Sequence, residues 1–549
     1  MTEYRGKSVF EGIAVGKLKI VRHDEGAAPA AQGTPEEERE KFFAARKRAA
    51  DELNALYKQS LSSVGEEEAQ IFRIHAMMAE DADLEDAVLA RIAAGEGAAQ
   101  AAEEAGFEIS QSFIRMDDEY MRARAVDVID VTKRLSAFIS GRREETLSLQ
   151  GPCILASSDF TPGEVVKLDK SKVLGFVTAF GSDKSHTAIL ARTLALPSVV
   201  DVRDSIDLSF DGKMCIVDGF SGKVIVDPDE KTLAFYLEKK REEEAAHRRR
   251  QALVGKKSVT QDGREVHVCC NVGNCEDVQA ALQNDCEGVG LFRSEFLYMG
   301  SESLPSEEKQ YAQYARAARM LGKKLLVIRT MDIGADKQAA CLPLPHEENP
   351  ALGMRSVRLC RQRPEILLTQ LRAVCRASAE GNVAVMVPMI VAAEEVRWVR
   401  EMAAKVQGDL QREGIPFDKN MQIGVMIETP AAALIADELA KEADFFSVGT
   451  NDLIQYTLAA DRQNPSLEKF INVHHKAVLR LIRYAADCAH AAGKWIGVCG
   501  ELAHDLSLTS FFAACGIDEL SVSPPYVLPL REKLLSVNAK NTDADAYTR

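Results

Sequence analysis

His186 stands between Ser185 and Thr187 in GSDKSHTAILAR (residues 181–192), where a run of good helix formers begins. With Ser185 as N-cap, AILARTLAL reads as an apolar-faced helix, which places the imidazole at a helix N-terminus. Free backbone N–H groups and the helix dipole favour an anion there, so the position suits a histidine that carries phosphate better than a protonated one. A second group of reactive residues lies at the ends of short β runs downstream. Arg293 closes GVGLFR, Arg329 and Asp332 close KLLVIRTMD, Glu428 closes QIGVMIE, Asn451 and Asp452 close FFSVGTND, and Cys499 and Glu501 close KWIGVCGE. Arg293, Arg329 and Arg462 could clamp a phosphate and a carboxylate through paired guanidinium donors. Glu428 and Asp452 are hard oxygen ligands that suit Mg²⁺, which keeps waters or substrate oxygens in its other positions. Cys499 adds a titratable thiol. One arginine at a strand end is ordinarily a surface ion pair, but several polar residues at the same end of successive strands point to a shared site.

The elements that must position them follow from periodicity. Over residues 257–549, β runs appear at VHVCCNV, GVGLFRS, KLLVIRTMD, VAVMVPMI, QIGVMIET, FFSVGTND, KWIGVCGE and ELSVS, with helical segments between most of them. Eight strands alternating with helices over this length predict a (β/α)8 TIM barrel, whose active site is built at the end where those polar residues sit. His186 falls in a different texture: GIAVGKLKIV near the start, then PCILAS, VLGFVTAF, MCIVDGF and KVIVDP, predict an α/β domain over residues 1–22 and 145–228. Between its two parts, residues 23–144 carry apolar residues at helical spacing and almost no proline, predicting an inserted bundle of four or so helices. The charged segment 229–256 predicts one long helix of roughly 40 Å linking the α/β part to the barrel.

The chain of 549 residues carries a formal charge of −15, which argues against nucleic-acid binding. No apolar run reaches membrane-spanning length, and MTEYRGKSVFEG lacks the layout of a signal peptide. Twelve scattered cysteines without a CxxC pair read as cytosolic thiols rather than a disulfide framework. A cytoplasmic multidomain protein is expected, without membrane insertion.

The chain resembles Enzyme I of the bacterial sugar phosphotransferase system, the phosphoenolpyruvate–protein phosphotransferases, over nearly its whole length. The resemblance rests on IFRIHAMMAED and DDEYMRARAVDVIDVTKRL in the helical insert and on DFTPGE and SHTAILARTLALPSVV in the α/β part. In the barrel it rests on GVGLFRSEFLYM, VIRTMDIGADK, HEENPALGMRSVRL, GVMIETPAAAL, FFSVGTNDLIQYTLAADR and GVCGELAHD. It implies that phosphoenolpyruvate binds at the barrel mouth with Mg²⁺ held by Glu428 and Asp452, and that Arg293, Arg329, Arg462, Asn451, Asp452 and Arg355 bind the substrate. It further implies that His186 takes the phosphoryl group, that Cys499 protonates the enolate, and that the carrier HPr docks on the helical insert. A homodimer formed through the barrel, and an α/β part that faces barrel and HPr in turn, belong to the same expectation.

Three departures from the family pattern stand out. Asp183 and Lys184 occupy positions that usually hold a basic residue and threonine, SVFEGIAVGK lacks the common Ser-Pro-Gly, and Ser523-Pro524-Pro525 replaces smaller residues. They motivate an alternative, a divergent and weakly active paralogue that regulates HPr-like carriers. The related dikinases and synthases need a large nucleotide-binding domain, for which the 150 or so residues before the histidine segment contain no Gly-rich phosphate loop.

Overall fold

A computed structural model of the chain describes residues 1–21, 33–60, 66–115, 119–141, 149, 151–158, 160, 168–181, 186–193, 196–203, 207–299, 301–334, 339–462 and 464–549. The chain forms two compact units, Met1–Ala246 and His247–Arg549.

In the first unit β1 (Thr2–Arg5), β2 (Lys7–Phe10) and β3 (Ile13–Ile20) precede five helices: α1 (Pro35–Ser60), α2 (Glu66–Ala79), α3 (Ala82–Ala93), α4 (Ala98–Ile114) and α5 (Glu119–Ile139). Then come β4 (Cys153–Ser157), β5 (Val173–Thr178), α6 (His186–Thr193), β6 (Ser198–Val200), β7 (Met214–Asp218) and β8 (Lys223–Val226). The strands make one sheet in the order β1-β8-β7-β3-β4-β5-β6-β2. β3 pairs parallel with β4, Leu18 opposite Ile154, so the strands on either side of the five helices are direct neighbours and the helices are an insertion. Alternate apolar residues such as Ala14, Leu18, Ile154, Val177 and Val217 form the core of this sheet. The run EEAQIFRIHAMMAEDADLEDAVLARI, which reads as one helix, is two. Asp81 caps α3 by accepting the N–H groups of Asp83 and Leu84, which ends α2 before it and divides that run in two, so that the described residues of the insert form five helices where four or so were expected. β1 and β2 were not expected from the sequence; they are four-residue, charge-bearing strands held by pairing with β8 and β6.

The charged segment predicted over 229–256 forms a single, shorter helix, α7 (Glu230–Gln251), spanning roughly 33 Å. The second unit is a closed barrel of β9 (His267–Val272), β10 (Gly288–Arg293), β11 (Leu325–Arg329), β12 (Val383–Val387), β13 (Ile423–Ile427), β14 (Phe445–Val448), β15 (Trp495–Val498) and β16 (Glu519–Val522). Every pair is parallel, and β16 closes on β9 with Leu520 opposite Val268. All eight strands coincide with the runs read from the sequence. Outward residues such as Val268, Val385, Phe446 and Leu520 merge with the surrounding helices into one large core, while Leu291, Val327, Met386, Met426, Phe445 and Cys499 pack inside the barrel. All twelve cysteines are free thiols. Among the described residues no helix is long and apolar enough to cross a membrane.

Candidate active site

The carboxyl ends of β10, β11, β13, β14 and β15 bring the strand-end residues to one face. Arg293 and Arg329 are register partners at the ends of β10 and β11. Arg293 is exposed at the mouth, whereas Arg329 is buried. The Arg329 guanidinium donates to Glu295 and to Met426 Sδ (3.8 Å) and lies 3.3 Å from Asp332. Burial alone would lower its pKa, but the carboxylates of Glu295, Asp332 and Glu428 together push it up, so it is a permanent cation. Arg355 is fully buried with its fork on Asp332, through Nε at 3.2 Å and Nη2 at 2.9 Å to each carboxylate oxygen. Its Nη1 reaches Tyr456 Oη at 3.3 Å and lies 3.9 Å from Asp452.

Glu428, the residue after β13, is wholly buried. Its Oε1 accepts the N–H of Met389 at 2.6 Å, while Oε2 has no hydrogen-bond partner among the described residues. Met389 holds φ +59°, a left-handed conformation that costs a non-glycine residue about 1–3 kcal/mol and here aims its N–H at the carboxylate. Across from it, a Cβ on Gly449 would stand 2.9 Å from Glu428 Oε2, so only glycine leaves that oxygen its room. Burial, then the negative charges of Asp452 and Asp332, push the Glu428 carboxyl up to about 8 against the pull of Arg329 and Arg355. Asp452, in the first turn of helix Thr450–Leu458, also has a buried oxygen (Oδ1) without a hydrogen-bond partner among the described residues, 4.0 Å from the half-exposed Arg462.

Two buried guanidinium groups therefore face the carboxyl groups of Glu295, Asp332, Glu428 and Asp452. That balance disfavours an anionic ligand unless a cation accompanies it. The two orphaned oxygens on Glu428 and Asp452 fit a hard divalent cation that keeps several positions for water or ligand oxygens. Among the described residues no cluster of three His, Cys, Asp or Glu side chains forms a ready metal cage, so such an ion would take few protein ligands.

Asn451 and Glu501 are clipped together, Asn451 Nδ2 donating to Glu501 Oε1 (3.0 Å) and the Glu501 N–H to Asn451 Oδ1 (2.9 Å). Cys499 follows β15 directly beneath this level. Its thiol lies 3.6 Å from the Val448 carbonyl oxygen, and burial pushes it up to about 12. At neutral pH it is a thiol, not a thiolate.

These features belong to a chain whose relatives are well marked. Residues 247–539 match the family description "PEP-utilising enzyme, PEP-binding domain", residues 5–124 the N-terminal domain and residues 149–222 the mobile domain of the same enzymes. A phosphoenolpyruvate-protein phosphotransferase of Bacillus sp. (strain S) is 40% identical over 96% of this chain and 92% of its own. The chain belongs to the phosphoenolpyruvate–protein phosphotransferase family, Enzyme I. Enzymes of the same name from Haemophilus influenzae, 40% identical over 98% of this chain and 94% of its own, and Bacillus subtilis, 37% identical over 99% and 96%, complete the picture. It is thus a transferase of the phosphoenolpyruvate-utilising class.

Within this Enzyme I chain, the barrel gathers Arg329, Arg355, Glu428, Asp452 and Arg462, with Arg293 and Asn451 at the rim. His186 belongs to the other unit and begins α6. The buried Thr187 anchors that helix start, its Oγ1 accepting the Phe160 N–H at 3.3 Å. Ser185 as N-cap, the Asp183-Lys184 departure, most of the DFTPGE motif and the side chain of His186 lie outside the described residues. Glu295, Tyr456 and Met389 escaped the sequence reading. Glu295 carried one usable signal: it lies two residues past a strand-end arginine.

Proposed function

We propose that the chain takes the phosphoryl group of phosphoenolpyruvate onto His186 and passes it to a histidine of HPr, releasing pyruvate as the first step of sugar uptake by the phosphotransferase system. The observation that carries this reading is the pair of buried carboxylate oxygens of Glu428 and Asp452 that accept no hydrogen bond from the described residues, beside two charged, buried guanidinium groups. Such a site matches a small polyanion that arrives with a divalent cation, as phosphoenolpyruvate does.

In this reading Arg293, Arg329 and Arg462 bind the phosphate and carboxylate, aided by Asn451 at the rim and by Asp452 within the site. Arg355 is a positioning residue, since its fork is occupied by Asp332 and Tyr456. Mg²⁺ held by Glu428 and Asp452 supplies, when bound, positive charge against the phosphate and the developing enolate; Mn²⁺ suits the same ligands. His186 attacks the phosphorus in line, the bridging P–O bond breaks, and its electron pair passes to the enolate. The S–H bond of Cys499 then breaks to give the enolate carbon its proton, yielding pyruvate. A neutral thiol is the form that can do this. HPr docks on the α1–α5 insert, the His186 unit faces barrel and carrier in turn, and the protein works as a homodimer joined through the barrel. Sedimentation tests the dimer; scattering with and without phosphoenolpyruvate tests the swivel.

The regulatory alternative is disfavoured by the family membership and by a barrel site that a pure binding protein has no use for. Pyruvate release from phosphoenolpyruvate, Mg²⁺ and HPr is the experiment that separates them. Release that scales with HPr supports the enzyme; no turnover at any HPr concentration would favour the regulator.

A further inference from the structure

Strands β10 and β11 end together at Arg293 and Arg329, and past that point side chains take over from the strand ladder. Ser294, the first residue beyond β10, donates from Oγ to the Arg329 carbonyl oxygen at 2.7 Å. On the other side of Arg329, the Met331 N–H donates to Gln370 Oε1 at 2.9 Å. Gln370 lies on the helix Pro364–Ala377, among the buried Leu367, Leu371 and Val374 of its apolar face. Its Nε2 donates to Ser294 Oγ at 2.9 Å. One amide therefore holds the chain on both sides of Arg329, directly at Met331 and through Ser294 at the carbonyl.

The direction of every link is determined. The Met331 N–H can only donate, which sets Oε1 toward it and turns Nε2 to two hydroxyls, Ser294 Oγ and Tyr314 Oη, the latter at 3.1 Å. Ser294 passes its own hydrogen to the Arg329 carbonyl, which can only accept. Tyr314 donates to Gln310 Oε1 at 3.2 Å, and Gln310 Nε2 donates to the Pro305 carbonyl oxygen at 3.0 Å. Ser294, Gln310, Tyr314 and Gln370 are all buried. Core packing alone would be met by an apolar side chain at position 370. A buried amide with both N–H bonds and its oxygen engaged instead selects one geometry.

That geometry is the substrate end of the barrel. Arg293 and Glu295 flank Ser294, and Asp332 follows Met331. Glu295 and Asp332 are the carboxylates that hold the Arg329 guanidinium. We propose that Gln370 is a positioning residue for phosphoenolpyruvate: its amide sets the ends of β10 and β11 relative to each other, and thereby the aim of Arg329. This rests on Arg329 binding the substrate. Gln370 acts through Arg329 and its two carboxylates, not on the substrate itself. Without the amide, Met331 loses its acceptor and Ser294 its donor, and the two segments are no longer tied in one pose.

The test measures pyruvate release by the full chain with Mg²⁺ and saturating HPr as phosphoenolpyruvate is varied. In Gln370→Met, which keeps the volume and removes the hydrogen bonds, the KM for phosphoenolpyruvate is expected to rise about tenfold or more. A smaller folded fraction would lower kcat and leave KM native, so the KM separates positioning from stability. Ser294→Ala breaks only the arm to the Arg329 carbonyl; it is expected to raise KM as well, and carries the test if Gln370→Met does not fold. Leu371→Ala removes apolar packing from the same helix but no hydrogen bond, and is expected to keep the native KM. A native KM in both Gln370→Met and Ser294→Ala, or an equal rise in Leu371→Ala, would overturn the positioning role. Native kinetics in Arg329→Lys would instead overturn the assignment of Arg329 to the substrate, and no pyruvate release by the native chain would overturn the phosphotransfer reading itself.

Discussion

Asp332 holds two arginines at once: its Oδ2 lies 3.3 Å from Arg329 Nη1 and 2.9 Å from Arg355 Nη2. All three side chains are buried, so neither guanidinium can turn to water. The carboxylate fixes Arg329 at the mouth and commits Arg355 to the wall beneath it. Removing Asp332 takes the shared carboxylate from both buried guanidinium groups at once.

Asp332→Ala is accordingly expected to destabilise the barrel by about 3–5 kcal/mol in denaturant unfolding, the cost of breaking a buried ion pair. It is also expected to raise the KM for phosphoenolpyruvate, since Arg329 loses its orientation. A loss below about 1 kcal/mol would show that Glu295 suffices to hold Arg329.

Glu428→Gln and Asp452→Asn each remove an ionic ligand while keeping shape. Pyruvate formation is expected to fall by about 100-fold or more in each, with a raised Mg²⁺ requirement, consistent with loss of preorganised charge stabilisation. Titration of Mg²⁺ against initial rate checks this; an unchanged Mg²⁺ midpoint would move the metal elsewhere.

Cys499, being buried with its thiol pushed up to about 12, is expected to resist iodoacetamide at pH 8 in the folded protein. Cys341 and Cys488, which are partly exposed, are expected to react first. Peptide mapping reads the order directly.

Glu519 ties stability to pH. Its carboxyl is raised in the folded state, from an ordinary 4.5 to about 7, so the folded state binds the extra proton. Stability from this group is full below about 4.5, falls as pH rises toward 7 and is flat above, a loss of about 3 kcal/mol. Glu519→Gln is expected to flatten that slope, so that its stability relative to the native chain improves from pH 5 to pH 8. Equal slopes in both proteins would contradict it.

How much of this was legible beforehand depends on how each feature is encoded. The eight barrel strands were readable because parallel strands buried on both faces form continuous apolar runs such as VAVMV and IGVMI. The charged four-residue strands β1 and β2 were not, because only pairing with β8 and β6 makes them strands. The split between α2 and α3 depends on the side chain of Asp81 turning back onto two N–H groups, a cap hidden within an otherwise unbroken helical pattern. In the site, strand-end position exposed Arg329, Glu428 and Cys499. Glu295, Tyr456 and the N–H of Met389 come from neighbouring loops and helices and meet Arg329, Arg355 and Glu428 only in three dimensions. The Met331–Gln370 hydrogen bond joins residues far apart in sequence and has no local signature.

The central claim is that His186 carries the phosphoryl group. Its most direct measurement is incubation of the native chain and of His186→Ala with labelled phosphoenolpyruvate and Mg²⁺, followed by acid and alkali treatment of the protein. The account predicts acid-labile, alkali-stable label on the native chain and none on His186→Ala. Equal labelling of the two, or a folded native chain that takes up no label, would contradict it.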